Sequence, residues 1–162
     1  MPYAILAAVL VALDQLVKYL VLQNIELGAH VPFIPHVLEL TYVQNTGAAF
    51  NIFREHTWLL TLISALVAVV IVAVMAKKVV RHRFGLVCLS VVLAGAVGNL
   101  IDRLFFGFVT DMFQTTFISF AVFNVADICV VLGGIAFCVY FLFFYDKLEK
   151  GETPHGDSAS DA

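Results

Sequence analysis

Charged residues are scarce in this chain of 162 residues. Lys, Arg, Asp and Glu together make up 13% of it, whereas 62% of the residues are hydrophobic and the mean hydropathy is +0.98. A soluble domain of this size carries about a quarter charged and about half apolar residues. The composition therefore excludes an ordinary soluble protein and indicates an integral membrane protein with one domain.

Positive charge and cysteine are also scarce, and each shortage excludes a class of function. The formal net charge of −3 provides no basic surface for nucleic acid. Cys88, Cys129 and Cys138 all lie inside apolar runs, which is not the pattern of a disulfide framework. No histidine shares those runs, so the cysteines lack the base that a catalytic cysteine requires.

Four apolar runs have the length of membrane-spanning helices. About 20 residues are needed to cross a hydrocarbon core about 30 Å thick, and a helix satisfies its own backbone hydrogen bonds there. The first run is too long for a cleaved signal peptide and is interrupted by Asp14 and Lys18. We expect one transmembrane domain over residues 1–150 and a disordered cytoplasmic tail over 151–162. The predicted spans are residues 3–22, 57–76, 84–101 and 125–145.

The loops predict the orientation of these spans. The 77–83 loop holds four Lys/Arg, and the two other loops hold only Arg54 and Arg103. The positive-inside rule therefore places the 77–83 loop and both termini in the cytoplasm. The 23–56 and 102–124 loops then face outward.

That orientation brings polar side chains of three spans to one depth. At 1.5 Å per residue, Asp14 lies about 16 Å above the inner end of its span, and Lys18 and Asn99 lie about 22 Å above theirs. Asp127 begins the fourth span from the outer side. A functional site in the outer half of the membrane is therefore predicted.

The first outer loop contains a pattern typical of a strand. Residues 36–44 alternate and are rich in strand-forming side chains. Asn45-Thr46-Gly47 then indicates a turn, followed by apolar Ala48-Ala49-Phe50. Residues 31–35 would add an apolar lip at the lipid interface. The predicted fold is an all-α membrane protein with four transmembrane helices and a small extracytoplasmic β-cradle, built mainly from the 23–56 loop.

Asp111 and Asp127 are the candidate catalytic pair. Two adjacent carboxylates repel, so one retains its proton while the other stays ionised and can activate water. Alternatively, Asp111 is a solvated loop residue and Asp127 a first-turn carboxylate favoured by the helix dipole. The sequence does not establish that residues sixteen apart in the chain lie close together.

The other polar candidates each have a structural and a functional interpretation. Asp14 and Lys18 stand four apart on one helix face, which suits an ion pair that also orients a site. Gly95, Asn99 and Arg103 share a face of the third span, where they would serve packing, interhelical hydrogen bonding and snorkelling, or substrate binding. Two asparagines complete the set: Asn124 as an N-cap of the fourth span and Asn45 as a turn residue, or both as site residues.

Histidine spacing does not predict a metal site. His30, His36 and His56 occupy the first outer loop without close ligand spacing. Oxygen ligands from Asp111, Asn124 and Asp127 could in principle hold a divalent ion. We expect neither a metal nor another cofactor.

Taken together, these motifs resemble lipoprotein signal peptidase, or signal peptidase II, the aspartyl protease family of bacterial membranes. The likeness runs over roughly residues 3–145. The likeness rests on Asp14-Gln15 with Lys18, Gln44 to Phe50, Gly95 to Arg103, Gly107-Phe108-Val109-Thr110-Asp111 and Phe123-Asn124-Val125-Ala126-Asp127. One conservative difference is Met112, where the family usually has Phe.

The resemblance implies both a reaction and a set of site residues. Asp111 and Asp127 would form the catalytic dyad. The enzyme would cleave diacylglyceryl-modified prolipoproteins on the amino side of the lipidated cysteine, at the outer face of the inner membrane, and would be sensitive to globomycin. Membrane lipid would be its other partner. The family's further functional positions fall on Asp14, Lys18, Asn45, Gly95, Asn99, Arg103, Asn124 and Ala126.

Three other functions are compatible with part of this pattern. A four-helix ion-coupled transporter would use Asp14, Lys18 and Asp127 as relay groups, but the inner halves of the second and third spans lack ionisable residues. A Mg²⁺-dependent phosphotransferase would require more carboxylates and phosphate-binding cations. A purely structural membrane protein would tolerate Asp111→Asn and Asp127→Asn.

Overall fold

Four long apolar helices and one small antiparallel sheet make up the part of the fold that the structure describes. The computed structural model describes residues 1–47 and 57–145. The predicted tail, residues 151–162, and Ala48-Ala49-Phe50 lie outside the described residues. In chain order the elements are α1 (Pro2–Asn24), β1 (His30–Ile34), β2 (Leu38–Asn45), α2 (Thr57–Ala76), α3 (Arg83–Phe106), β3 (Val109–Thr115) and α4 (Val125–Phe143).

Each helix is long and apolar enough to cross a membrane, which confirms the four predicted spans. The third helix extends five residues beyond the predicted span of about 84–101, because α3 continues through Asp102 and Arg103 to Phe106. Gly107 then ends it with a left-handed φ of 76°, and its N–H donates to the Arg103 carbonyl at 3.2 Å. Glycine adopts that conformation without steric cost, as is common just beyond a helix end.

The third helix is the centre of the bundle, and α1, α2 and α4 all pack against it. Two glycines allow the closest approaches. A Cβ on Gly95 would collide with the carbonyl oxygen of Ala126, and one on Gly98 would lie 2.6 Å from Asp14 Oδ2. The lack of side chains at these positions brings the start of α4 and the middle of α1 against one face of α3.

The sheet has the order β1-β2-β3 and confirms the predicted β-cradle. Two of its strands come from the 23–56 loop, as expected, and β3 comes from the second outer loop. In the antiparallel pairing of β2 with β3, Val43 lies opposite Asp111 and Asn45 opposite Val109. The register shifts between Leu40 and Val43, so β2 is bulged beside the strand that carries Asp111.

Candidate active site

Asp111 is held by two amides from different elements. Its Oδ1 accepts from Asn124 Nδ2 at 2.6 Å and its Oδ2 accepts from Asn45 Nδ2 at 2.7 Å. Asn45 reaches it because diagonal neighbours on paired strands lie within contact distance. The side chain of Asn45 also accepts from Gly47 N–H at 2.9 Å, which forms the predicted turn. Only 1% of the surface of Asp111 is exposed.

Asp127 lies in the first turn of α4, where Asn124 is the N-cap. Asn124 Oδ1 accepts from Asp127 N–H at 2.9 Å, and Asp127 Oδ2 accepts from Asn124 N–H at 3.1 Å. This reciprocal arrangement is a capping box, and it confirms the predicted N-cap. The other carboxylate oxygen, Oδ1, accepts from Asn99 Nδ2 at 2.8 Å.

One cavity and one asparagine bring the two aspartates together. Asp111 and Asp127 both line a cavity of about 470 Å³, together with Asn45, Asn99 and Arg103. Besides its bond to Asp111, Asn124 Nδ2 donates to Asn99 Oδ1 at 3.1 Å, so an unbroken chain of hydrogen bonds joins the two carboxylates. The proximity that the sequence could not establish is present in the fold.

Burial and charge act together on Asp111. Two effects raise the pKa of Asp111 from 3.8 to about 7: burial, which is the larger, and repulsion from Asp127. The amides of Asn45 and Asn124 and the Lys18 cation act in the opposite direction on this pKa. Asp111 is therefore suited to hold a proton near neutral pH.

Arg103 also faces the cavity, from the last turns of α3. Its Nη1 lies 3.4 Å from the Asn99 carbonyl oxygen. Its Nε is buried and has no hydrogen-bond partner within residues 1–47 and 57–145. A donor left unpaired at a cavity wall suits a ligand that brings its own acceptor. Elsewhere the cavity wall is largely apolar, with Phe123, Ile128, Val131 and Leu132 among its residues.

The predicted Asp14–Lys18 ion pair is present at 2.9 Å. Lys18 also reaches Asp102 Oδ2 at 3.1 Å, a residue that the sequence interpretation did not single out. Asp102 was not predicted as a site residue because it lies off the helix face that Gly95, Asn99 and Arg103 share. The available signal was the four-residue spacing of Gly98 and Asp102, which places them together on the neighbouring face of α3.

The two remaining predicted positions, Gly95 and Ala126, meet at the contact of α3 with α4. Ala126 is fully buried, and its N–H donates to Asp14 Oδ1 at 2.8 Å. Gly95 provides the space for the Ala126 carbonyl. All ten predicted site residues therefore belong to one connected region, lining the cavity or supporting its wall.

Comparison with known proteins identifies the family. The family model described as signal peptidase (SPase) II matches residues 6–143. The chain belongs to the signal peptidase II family. It is 42% identical over 151 residues to the lipoprotein signal peptidase of Enterococcus faecalis (93% of this chain, 94% of the relative). With that of Clostridioides difficile the identity is 40% over 147 residues (91% and 99%).

Solved structures agree with this assignment. Two structures, each described as a bacterial membrane enzyme, superpose with TM-scores of 0.81 and 0.80. The first is 29% identical and the match covers 94% of this chain and 93% of that one; the second is 30% identical and covers 88% and 94%. The resemblance seen in the motifs is confirmed, and the chain is a multi-pass bacterial membrane protein of a peptidase family.

Proposed function

We propose that this protein is an aspartyl endopeptidase that removes the signal peptide from diacylglyceryl-modified prolipoproteins. It cleaves on the amino side of the lipidated cysteine. The observation that carries the proposal is the pair of carboxylates, Asp111 and Asp127, on one cavity wall and joined through Asn124. The names of the relatives, lipoprotein signal peptidases, support the choice of substrate.

The mechanism divides the work between the two aspartates. Asp111, with its raised pKa, holds the proton and donates a hydrogen bond to the scissile carbonyl. Ionised Asp127 removes a proton from water, and the resulting hydroxide attacks the carbonyl carbon. When the tetrahedral intermediate collapses, the amide nitrogen leaves as an amine after it takes a proton from the dyad. The pair thereby returns to a state that shares one proton.

The surrounding residues orient these groups. Asn99 Nδ2 and Asn124 N–H hold both oxygens of Asp127 in place. Asn45 fixes Asp111 from the sheet, and the Arg103 guanidinium offers donors to substrate carbonyls. Apolar walls from α4 accept the lipid or the apolar part of the signal peptide. Both termini lie in the cytoplasm, so that the cavity opens near the outer leaflet, where a lipid-anchored precursor presents its cleavage site.

The test is cleavage of a diacylglyceryl-prolipoprotein by the purified full-length protein in lipid or detergent. Asp111→Asn and Asp127→Asn should each lower kcat by about 10²–10⁴-fold, the usual contribution of a positioned acid or base. Glu39→Gln is the matched control, because Glu39 is a carboxylate of the same sheet that pairs with His30 at 3.3 Å, away from the cavity. It should retain wild-type activity.

Two added conditions separate the competing chemistries. EDTA should leave cleavage unchanged, whereas a Mg²⁺-dependent reaction would stop. Globomycin should inhibit cleavage of the prolipoprotein. Cleavage at the wild-type rate by either aspartate variant would remove that residue from the dyad, and no cleavage by folded wild-type protein would contradict the proposed function.

A further inference from the structure

The ammonium group of Lys18 is buried and fully used. Its side chain is 3% exposed. It donates to Asp14 Oδ2 at 2.9 Å, to Asp102 Oδ2 at 3.1 Å and to Asn99 Oδ1 at 3.1 Å. An ammonium group has three protons and accepts nothing, so three partners satisfy it completely. Lys18 thus joins α1 to two positions of α3.

The two carboxylates that Lys18 contacts each accept a further backbone N–H. Asp14 Oδ1 accepts the N–H of Ala126 at 2.8 Å, and Asp102 Oδ2 accepts the N–H of Thr110 at 3.0 Å. Ala126 immediately precedes Asp127, and Thr110 immediately precedes Asp111. The two arms of one buried ionic cluster therefore end on the backbone N–H groups of the residues that precede the two aspartates of the proposed dyad.

A second group of α1 reinforces the cluster. Gln15 Nε2 lies 3.2 Å from Asp14 Oδ2, 3.0 Å from Asp102 Oδ1 and 3.2 Å from the Gly98 carbonyl oxygen. It therefore bridges the same two carboxylates as Lys18, from the adjacent position of the helix. The absence of a side chain on Gly98 provides the room for Asp14 in this arrangement.

We propose that Asp14, Lys18 and Asp102 form a positioning clamp that sets the separation of Asp111 and Asp127. This inference rests on the proposed function. Water activation and carbonyl protonation require both carboxylates to reach the same substrate atoms, and a displacement of about 1 Å can cost about 10²-fold in rate. Because a peptide plane is rigid, a pinned N–H fixes the Cα of its own residue, Ala126 or Thr110. The Cα of each aspartate is the next one along the chain, about 3.8 Å away.

The composition of the clamp favours this role over helix packing alone. A buried ion cluster is often no more stabilising than apolar residues of the same volume. An ion pair within α1 would require only Asp14 and Lys18. The third member, Asp102, adds a charge-assisted bond to β3, and such bonds are short and directional. The cluster therefore connects α1 and α3 to the starts of both β3 and α4.

Native-state amide hydrogen exchange tests the clamp directly and does not depend on activity. In Asp102→Leu, exchange should accelerate at least about 10-fold at Thr110 and stay near wild type at Ala126. Asp14→Leu should give the reverse pattern, and Lys18→Met should accelerate exchange at both. Unchanged exchange at the two amides, or a uniform acceleration over the whole protein, would overturn the clamp.

Kinetics test the consequence for the dyad. Per folded molecule, Asp102→Leu should lower kcat about 10²-fold and change KM less than about twofold, because the clamp does not touch the cavity. Asp102→Asn keeps an oxygen for the Thr110 N–H, so it should recover part of that loss; it also provides a folded variant if Leu fails to fold. In the double variant of Asp14→Asn and Asp102→Asn, the loss in kcat, expressed as a free energy, should be smaller than the sum of the losses in the two single variants.

The control for these measurements is Tyr140→Leu. Tyr140 is fully buried among Ile71, Val80 and Leu89 at the other end of the bundle, about 20 Å along α4 from Asp127. The Tyr140→Leu variant should be less stable than wild type but should keep the wild-type kcat per folded molecule. Wild-type kcat in folded Asp102→Leu would overturn the positioning role. If wild-type protein cleaves no prolipoprotein, the proposed function fails, and the exchange pattern still decides whether the clamp exists.

Discussion

Asp111 shows how the fold gives one carboxyl group an unusual affinity for its proton. It is almost fully buried and faces Asp127, yet two amides donate to its oxygens. The proton is favoured by burial and by repulsion from Asp127, and the amides hold the carboxyl in one orientation whichever state it is in. The Asp111 carboxyl is therefore held in one orientation, and its ionisation lowers the stability of the fold.

This cost predicts a pH-dependent effect of Asp111→Asn on stability. The folded pKa of about 7 lies above the ordinary 3.8. Between these values the folded protein binds a proton that the unfolded chain has released, so the free energy of unfolding falls as pH rises, by about 1.4 kcal/mol per unit. The total is about 4 kcal/mol above pH 7. Asn cannot ionise, so the variant should gain stability relative to wild type as pH increases from 5 to 8.

Thermal unfolding midpoints at several pH values would measure the effect. Gln114→Ala, an uncharged change on the same strand, is the control, and its difference from wild type should not vary with pH. A constant difference between Asp111→Asn and wild type over this range would show that Asp111 titrates at its ordinary pKa.

At the residue scale, the sequence predicted more of the site than of its support. Asp14, Lys18, Asn99 and Asp127 could be found because an ionisable or amide side chain within an apolar run requires a reason. Asp102 offered no such contrast, because it follows the predicted end of a span, where charge is ordinary. Its role depends on partners 84 and 8 residues away in the chain, Lys18 and Thr110, which no local pattern encodes.

At the element scale, the start of α4 joins helix capping to the proposed catalytic pair. Asn124 Oδ1 caps the helix while its Nδ2 donates to Asp111 and Asn99. Serine also caps helices well but is too short to replace the amide donor. The two tasks of Asn124 can therefore be separated by substitution.

We predict that Asn124→Ser is more stable than Asn124→Ala by about 1 kcal/mol, the usual value of a cap. Both variants should lose activity to a similar extent, because both remove the donor that holds Asp111. Unfolding midpoints and kcat, measured on the same preparations, would check this. If Asn124→Ser retained wild-type kcat, the amide would serve only the helix.

The contact of α3 with α4 gives a second prediction at this scale. Gly95→Ala should destabilise the protein by at least about 1–3 kcal/mol, the cost of overpacking, since its Cβ would collide with the backbone of Ala126. Relief of the collision would shift Ala126 and Asp127, so activity should fall as well. The matched control is Gly134→Ala on α4, because the added Cβ would meet no heavy atom of the described residues within 4 Å, apart from its chain neighbours and the backbone of its own helical turns.

Gly134→Ala should keep full activity and gain up to about 1 kcal/mol from helix propensity. Gly95→Ala and Gly134→Ala are compared by their unfolding midpoints and by their rates of prolipoprotein cleavage. Equal effects of the two substitutions would mean that close approach at Gly95 is not what brings α4 to its place.

Local sequence patterns predicted some of the secondary-structure elements and not others. Hydrophobic runs predicted all four helices, because a span has to be long and apolar throughout. Residues 36–44 predicted β2 from their alternation. The third strand was not predicted, since Asp111 interrupts its apolar pattern and its partner strand lies across α2 and α3 in the chain. Pairing at that separation is a property of the whole fold.

At the scale of the whole molecule, the orientation in the membrane is a prediction that the arrangement of the fold makes testable. Four spans bring the two ends of the spanning region to the same side. The sheet and the start of α4 lie together at one end of the bundle, whereas the basic 77–83 segment lies at the other end, between α2 and α3. Under the proposed function, a lipid-anchored precursor would reach Asp111 and Asp127 from the outer leaflet only if the sheet end faces outward.

Cysteine accessibility in intact cells tests this orientation. The background would be the full chain with Cys88, Cys129 and Cys138 replaced by alanine, with prolipoprotein cleavage as the check that it is folded. Ser119 follows β3 and Lys78 follows α2, and both are exposed. A membrane-impermeant maleimide should label Ser119→Cys in intact cells and Lys78→Cys only after permeabilisation, because positive loops remain in the cytoplasm. The reverse pattern would place the dyad at the cytoplasmic face, where a lipoprotein precursor anchored in the outer leaflet has no access to it.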